Sequence, residues 1–166
     1  MYKRKERNAS VGGNQRDMGV KHSEVNYELL IKDMDTCCLG EETCKVCNKK
    51  DCIIGFAQTC AIGCMKNKVT YVENGAQEIP VMDFKVYEEG EMAKGIAHIL
   101  KTCRSCKEDH FDNCIISVLR NCYEVGLFGE KQPYEGSNFK YLSKMSEQKP
   151  EIAQDIIEEF NRCEID

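Results

Sequence analysis

Twelve cysteines in 166 residues constrain this chain more than any other feature, because eight of them fall into two matching arrays. The first reads Cys44-x2-Cys47-x4-Cys52-Ile-Ile-x5-Cys60, the second Cys103-x2-Cys106-x7-Cys114-Ile-Ile-x5-Cys122. In each, a CxxC pair is followed by a lone cysteine, two isoleucines and another cysteine at the same distance. A residue suited to capping a helix, Asp51 or Asn113, precedes each lone cysteine. The pattern predicts a mainly α fold of duplicated helix–Cys-loop–helix units, repeat one over 22–66 and repeat two over 90–127, within a domain spanning 22–128.

The chemistry of such an array depends on where the chain is kept. Met1 to Val20 is charged and has no apolar run, and no stretch has the length to span a bilayer. The expectation is a cytoplasmic chain with reduced thiols, where close-spaced cysteines point to metal or redox chemistry. Six disulfides in an exported chain are the rival account.

A CxxC turn can place two sulfurs on one side of an ion. A third sulfur at the first turn of a helix sits where the helix dipole favours the thiolate, the form that binds metal. Four ligands complete a Zn²⁺ site or anchor a cubane iron–sulfur cluster. Cys52 and Cys60 are eight residues apart, or about 12 Å along one helix, so they cannot share an ion unless the helix breaks at Gly55. The same holds for Cys114 and Cys122. Cys60, Cys64 and Cys122 are therefore assigned to the core as small buried hydrophobes, and Cys163 to the core or its margin.

The first candidate site is then Cys44, Cys47 and Cys52 with Cys38, or its neighbour Cys37, as fourth ligand. The second is Cys103, Cys106 and Cys114 with His110, a Cys3His set. Both CxxC pairs on a single ion form the rival arrangement. Spacing does not decide between Zn²⁺ and an iron–sulfur cluster; the ferredoxin run with its closing Cys-Pro is absent and His110 in the second site favours Zn²⁺, which is the expected cofactor, with an iron–sulfur cluster as the alternative. His22 and His98 read as surface or capped histidines.

Elsewhere the text is helical with one interruption. His22–Met34 reads as a helix capped by Ser23, Cys52–Lys66 as a buried helix, Glu91–Thr102 as a helix with Met92, Ile96, Ile99 and Leu100 facing inward, and 115–127 as another. Val69, Tyr71, Ile79 and Val81 flank Asn74-Gly75, which predicts a small β-hairpin over 68–82 inserted between the repeats. Residues 129–149 read as loop, and Pro150 opens a last helix with Ile152, Ile156, Phe160 and Cys163 on one face. That stripe suits core docking, or a protein partner or homodimer.

Charge excludes some functions. Net charge is −5, so nucleic acid is a poor partner. Residues 1–21 carry six basic and two acidic groups and read as a disordered tail, whereas 147–166 carry seven acidic and two basic ones. No phosphate loop, GxSxG, HExxH or dinucleotide fingerprint occurs. Cys106 and His110 could form a thiolate–imidazole pair, the one enzymatic feature. The expected function is a metal-binding structural, interaction or regulatory module, with an iron–sulfur redox or sensor protein as the alternative.

Overall fold

The computed structural model describes residues 21–103 and 112–163. After a 3₁₀ turn at His22–Glu24 come helices α1 (Tyr27–Cys37), α2 (Glu41–Cys44), α3 (Ile53–Asn67), α4 (Gly75–Glu78), α5 (Glu89–Cys103), α6 (Ile115–Phe128), α7 (Asn138–Gln148) and α8 (Pro150–Arg162). The fold is mainly helical, as the apolar periodicity requires.

Helix α6 is the centre. All its residues from Ile115 to Val125 are buried, so this stretch has no solvent face. Helices α3, α4 and α5 pack on it, α1 packs on α3 and α5, and α8 lies on α5 with α7 alongside. Met92, Ile96, Ile99 and Leu100 of α5 are fully buried, as expected. Cys60, Cys64 and Cys122 join them in the core, and α3 runs unbroken through Gly55. Burial pushes the Cys60 thiol up to about 11 and Cys64 up to about 12, so both are neutral hydrophobes.

The expected hairpin is not there; no strand occurs among the described residues. Residues 70–72 do extend, but they pair with the segment entering α6. Tyr71 and Cys114 form an antiparallel bridge, Val72 N donates to Asn113 O at 2.8 Å, and Ile115 N donates to Thr70 O at 2.8 Å. Asn74 does turn the chain, with φ of 56°, but the turn runs straight into α4. Gly75 permits this, because a Cβ there would lie 2.8 Å from both Val118 and Val72 side-chain carbons. Pro80 has no N–H to offer a returning strand.

Other boundaries also shift. Asn26, not Ser23, caps the first long helix by accepting from Leu29 N at 3.1 Å. Cys52 and Cys114 are themselves the N-caps of α3 and α6, one residue beyond Asp51 and Asn113. The region expected to be loop over 129–149 contains α7, capped by Ser137 and holding Tyr141 and Met145 in the core at helical spacing. The stripe of α8 docks internally through Ile152, Ala153 and Ile156, with Phe160 and Cys163 half-buried. The basic tail lies outside the described residues except for Lys21.

α7 is held to α6 by a buried polar contact. Tyr141 Oη donates to Glu124 Oε2 at 2.6 Å, and Gln132 N donates to Glu124 Oε1 at 3.2 Å. Arg120 lies one turn from Glu124, its guanidinium 4.2 Å from the Tyr134 ring centre. Burial pushes the Glu124 carboxyl above its ordinary range despite Arg120 and these hydrogen bonds. Tyr141→Phe removes one donor from a carboxyl group that water cannot reach. The expected loss is about 1–3 kcal/mol, read as a lower urea midpoint, with α7 becoming protease-sensitive first.

Candidate metal centres

The four residues of the first expected site line one cavity of about 340 Å³. Each arrives by a different local device. Cys38 is the exposed C-cap of α1, whereas Cys37 turns into the core, where burial and nearby Glu91 push its thiol up to about 12. This selects Cys38 of the pair. Gly40, at φ of 78°, reverses the chain into α2, which ends at Cys44. Cys52 caps α3, its Sγ accepting from Gly55 N at 3.4 Å.

Between Cys44 and Cys47 the backbone is strained. Lys45 has φ of 62° and ψ of −60°, and Val46 N donates to Cys44 O at 2.7 Å. This is a γ-turn with positive φ, a conformation non-glycine residues rarely hold. The loop then crosses α3 so closely that a Cβ on Gly55 would sit 2.8 Å from the Lys49 Cα. Gly55 therefore does not break the helix; it lets the cysteine loop rest on it.

The far wall comes from a segment to which the cysteine pattern assigns no role. Along Asp83-Phe84-Lys85-Val86-Tyr87, Lys85 and Tyr87 line the cavity and Asp83 is buried and bonded to both, while Phe84 and Val86 are exposed. That alternation is the signal the sequence offers. Tyr87 Oη lies 3.6 Å from Cys52 Sγ and donates to Asp83 Oδ2 at 2.6 Å. Asp83 Oδ2 also accepts from Ile53 N at 2.9 Å, and Asp83 Oδ1 pairs with Lys85 Nζ at 2.8 Å. Lys85 is within electrostatic reach of Cys44 and Cys52. A carboxylate thus anchors the first turn of α3, a tyrosine beside one sulfur and a cation beside two.

No three of these four sulfurs lie within 4.8 Å of one another, so the loop must draw in to share an ion. No disulfide joins them. The second expected site is only partly placed, because Cys106 and His110 lie outside the described residues. Cys103 ends α5, its Sγ 3.6 Å from Tyr134 Oη. Cys114 is buried at the start of α6, close enough to Cys64 and Tyr27 to raise the pKa of both.

The described members of the two arrays are far apart. Cys52 sits at the start of α3, whereas Cys114 faces Cys64, twelve residues on and about 18 Å along the helix. Likewise Tyr87 lies just before α5 and Cys103 ends it. The described cysteines of one array lie at the opposite ends of α3 and α5 from those of the other.

A third polar group forms around His98. His98 is 3% exposed, not a surface residue. Its Nδ1 lies 2.6 Å from Asp33 Oδ2 and its Nε2 3.1 Å from Glu159 Oε1. Burial lowers the His98 pKa, but Asp33 and Glu159 outweigh it and hold the value above the ordinary histidine range. Its place inside the apolar run Gly95–Leu100 is the sequence signal.

No protein-family model matches this chain, and no curated protein or solved structure matches it either.

The first cavity yields two expected outcomes. Burial raises the Asp83 pKa, but hydrogen bonds from Lys85, Tyr87 and Ile53 N outweigh it and hold the carboxyl below its ordinary range. Its contribution to stability is present above the ordinary Asp value of about 3.9 and is lost as pH falls through the lower folded value. Asp83→Asn should therefore cost about 1–3 kcal/mol at neutral pH and flatten the acid limb of a stability-versus-pH curve. Lys45→Gly relieves the γ-turn and should stabilise the metal-free protein by about 1 kcal/mol in a thermal melt.

Proposed function

We propose that this protein is a metal-binding module in which two cysteine sites, one at each end of the α3–α6 pair, hold Zn²⁺ and set the shape of their loops. The observation that carries the reading is the convergence of Cys38, Cys44, Cys47 and Cys52 on one cavity wall, over a helix N-terminus and beside Lys85. Thiolate is the ligand form, and metal binding itself displaces the thiol protons. The second site would use Cys103, Cys106, His110 and Cys114. The separation along α3 and α5 supports two ions over one shared by both CxxC pairs.

Common structural features support a duplicated unit. Cys52 and Cys114 both cap a helix, and Ile53-Ile54 and Ile115-Ile116 both enter the core behind them. Cys60 and Cys122 are both buried, about two turns into their helices. α1 precedes the first loop and α5 the second.

The site has the character of a structural or regulatory module. Around the four cysteines, Lys85 and Tyr87 already bond to Asp83, and the Asp51 carboxylate already accepts from Asn48. Val46, Met82, Phe84 and Val86 are exposed beside it, so a loop fixed by metal would present an apolar surface to a protein partner. An iron–sulfur cluster at the same cysteines is the second reading; the cavity of about 340 Å³ favours it, since a cluster is larger than one ion.

The test is elemental analysis of protein purified without oxygen. About two Zn²⁺ per chain are expected from the cysteine clusters, or iron with matching sulfide under the second reading. Cys44→Ser or Cys47→Ser should release one ion and lower the melting temperature, because site formation and folding are linked. Cys60→Ala should keep the metal and cost on the order of 1 kcal/mol. Equal metal loss from Cys44→Ser and Cys60→Ala would overturn the assignment.

A further inference from the structure

The group around His98 uses none of the cysteines of either cluster. We propose that His98, Glu159 and Cys163 form a separate divalent-metal site, of the Zn²⁺ class, that fastens α8 to α5. The ligand atoms of these three residues all lie within 4.8 Å of one another, and among the described residues no other group of three or more His, Cys, Asp or Glu meets that condition. A tetrahedral Zn²⁺ with bonds of about 2.0 Å to N or O and 2.3 Å to S holds its ligand atoms about 3.3–3.5 Å apart. The Nε2–Oε1 separation is already 3.1 Å.

The arrangement is built from three helices. Glu159 and Cys163 are four residues apart at the end of α8, so they share a face. His98 projects from the middle of α5. Asp33 of α1 takes the other ring nitrogen at 2.6 Å, which fixes the imidazole with Nε2 toward Glu159 and Cys163. A carboxylate behind a ligating histidine is the usual orienting partner in metal sites. Glu159 keeps a second contact, since its Oε2 bonds Arg162. One oxygen is thus available to an ion while the other is held in place.

An ion pair alone explains His98, Asp33 and Glu159. It does not explain the thiol on the same face. Burial and Glu159 raise the pKa of that thiol, against the pull of Lys101 and Lys94, and a cation between Cys163 and Glu159 would offset the effect of Glu159. Mixed N, O and S ligands suit Zn²⁺ better than a hard cation. Glu159 also lines a surface cavity together with Glu91, Asp155, Glu158, Lys94 and Arg162. Binding replaces the proton that Nε2 shares with Glu159 and the Cys163 thiol proton. Two protons are released, and nothing is oxidised or reduced. Water takes the fourth position.

The experiment uses the full chain, stripped of metal under reducing conditions and titrated with Co²⁺ as a spectroscopic probe. Cys163→Ala should bind one Co²⁺ fewer than wild type and lose the matching share of sulfur-to-cobalt charge-transfer absorption. Glu159→Gln, which keeps size and polarity, should weaken retention of that same ion against a chelator by at least about tenfold. Far-UV circular dichroism checks that each variant folds, and either variant alone decides the matter. Unchanged stoichiometry and spectrum in Cys163→Ala, or unchanged retention in Glu159→Gln, would show that the group is an ion cluster only. The ion lost with Cys163→Ala must also persist in Cys44→Ser, so failure of the cysteine-cluster reading leaves this result readable.

Discussion

Helix α6 is buried on every side from Ile115 to Val125, and the arrangement of the other helices depends on that. A helix with no wet face must be enclosed, which takes α3 and α5 as direct neighbours and α4 at its start. It also carries Arg120 and Glu124 into the interior, where their charge has to be met by protein groups. Tyr134 and Tyr141 meet it, so the segment from 130 to 145 is drawn onto the core. α8 then closes over α5 and brings Glu159 and Cys163 to His98. The C-terminal acidic helix owes its place to the enclosure of a helix that is not its main neighbour.

The cysteines divide by the same logic. Those on the inner faces of α3 and α6 are packed as small apolar groups, with thiols that burial keeps protonated. Those on the loops at helix ends stand at cavity walls or helix caps, with polar neighbours. One residue type performs two tasks, and position relative to the helix axis decides which.

Much of this is legible in the sequence. Period-3.6 stripes locate α1, α3, α5, α6 and α8, and an eight-residue spacing on one helix is enough to send Cys60 and Cys122 to the core. The failures share a cause. Asn74-Gly75 specifies a turn but not the element after it, and the strand-like residues before it find a partner some forty residues away at Asn113 and Cys114. α7 is hidden because Pro133 and Gly136 dominate the reading of a segment whose helix begins only at Asn138. His98 is misread because a polar residue in an apolar run has no assignable role until its partners are known, and Asp33 and Glu159 are each more than sixty residues distant. Asp83, Lys85 and Tyr87 escape notice for the same reason, since their link to Cys52 and Ile53 spans some thirty residues.

The γ-turn at Lys45 has a thermodynamic consequence beyond its own geometry. A backbone held about 1–3 kcal/mol above its relaxed state lowers the cost of rearranging the loop between Cys44 and Cys47. In the proposed site, an ion that engages both sulfurs in a relaxed form of this loop recovers that strain. Under that proposal, affinity at this end of the molecule is set partly by the backbone of Lys45, which supplies no ligand. Exchange of that one residue would then retune how tightly the loop takes an ion, with the four sulfurs left as they are.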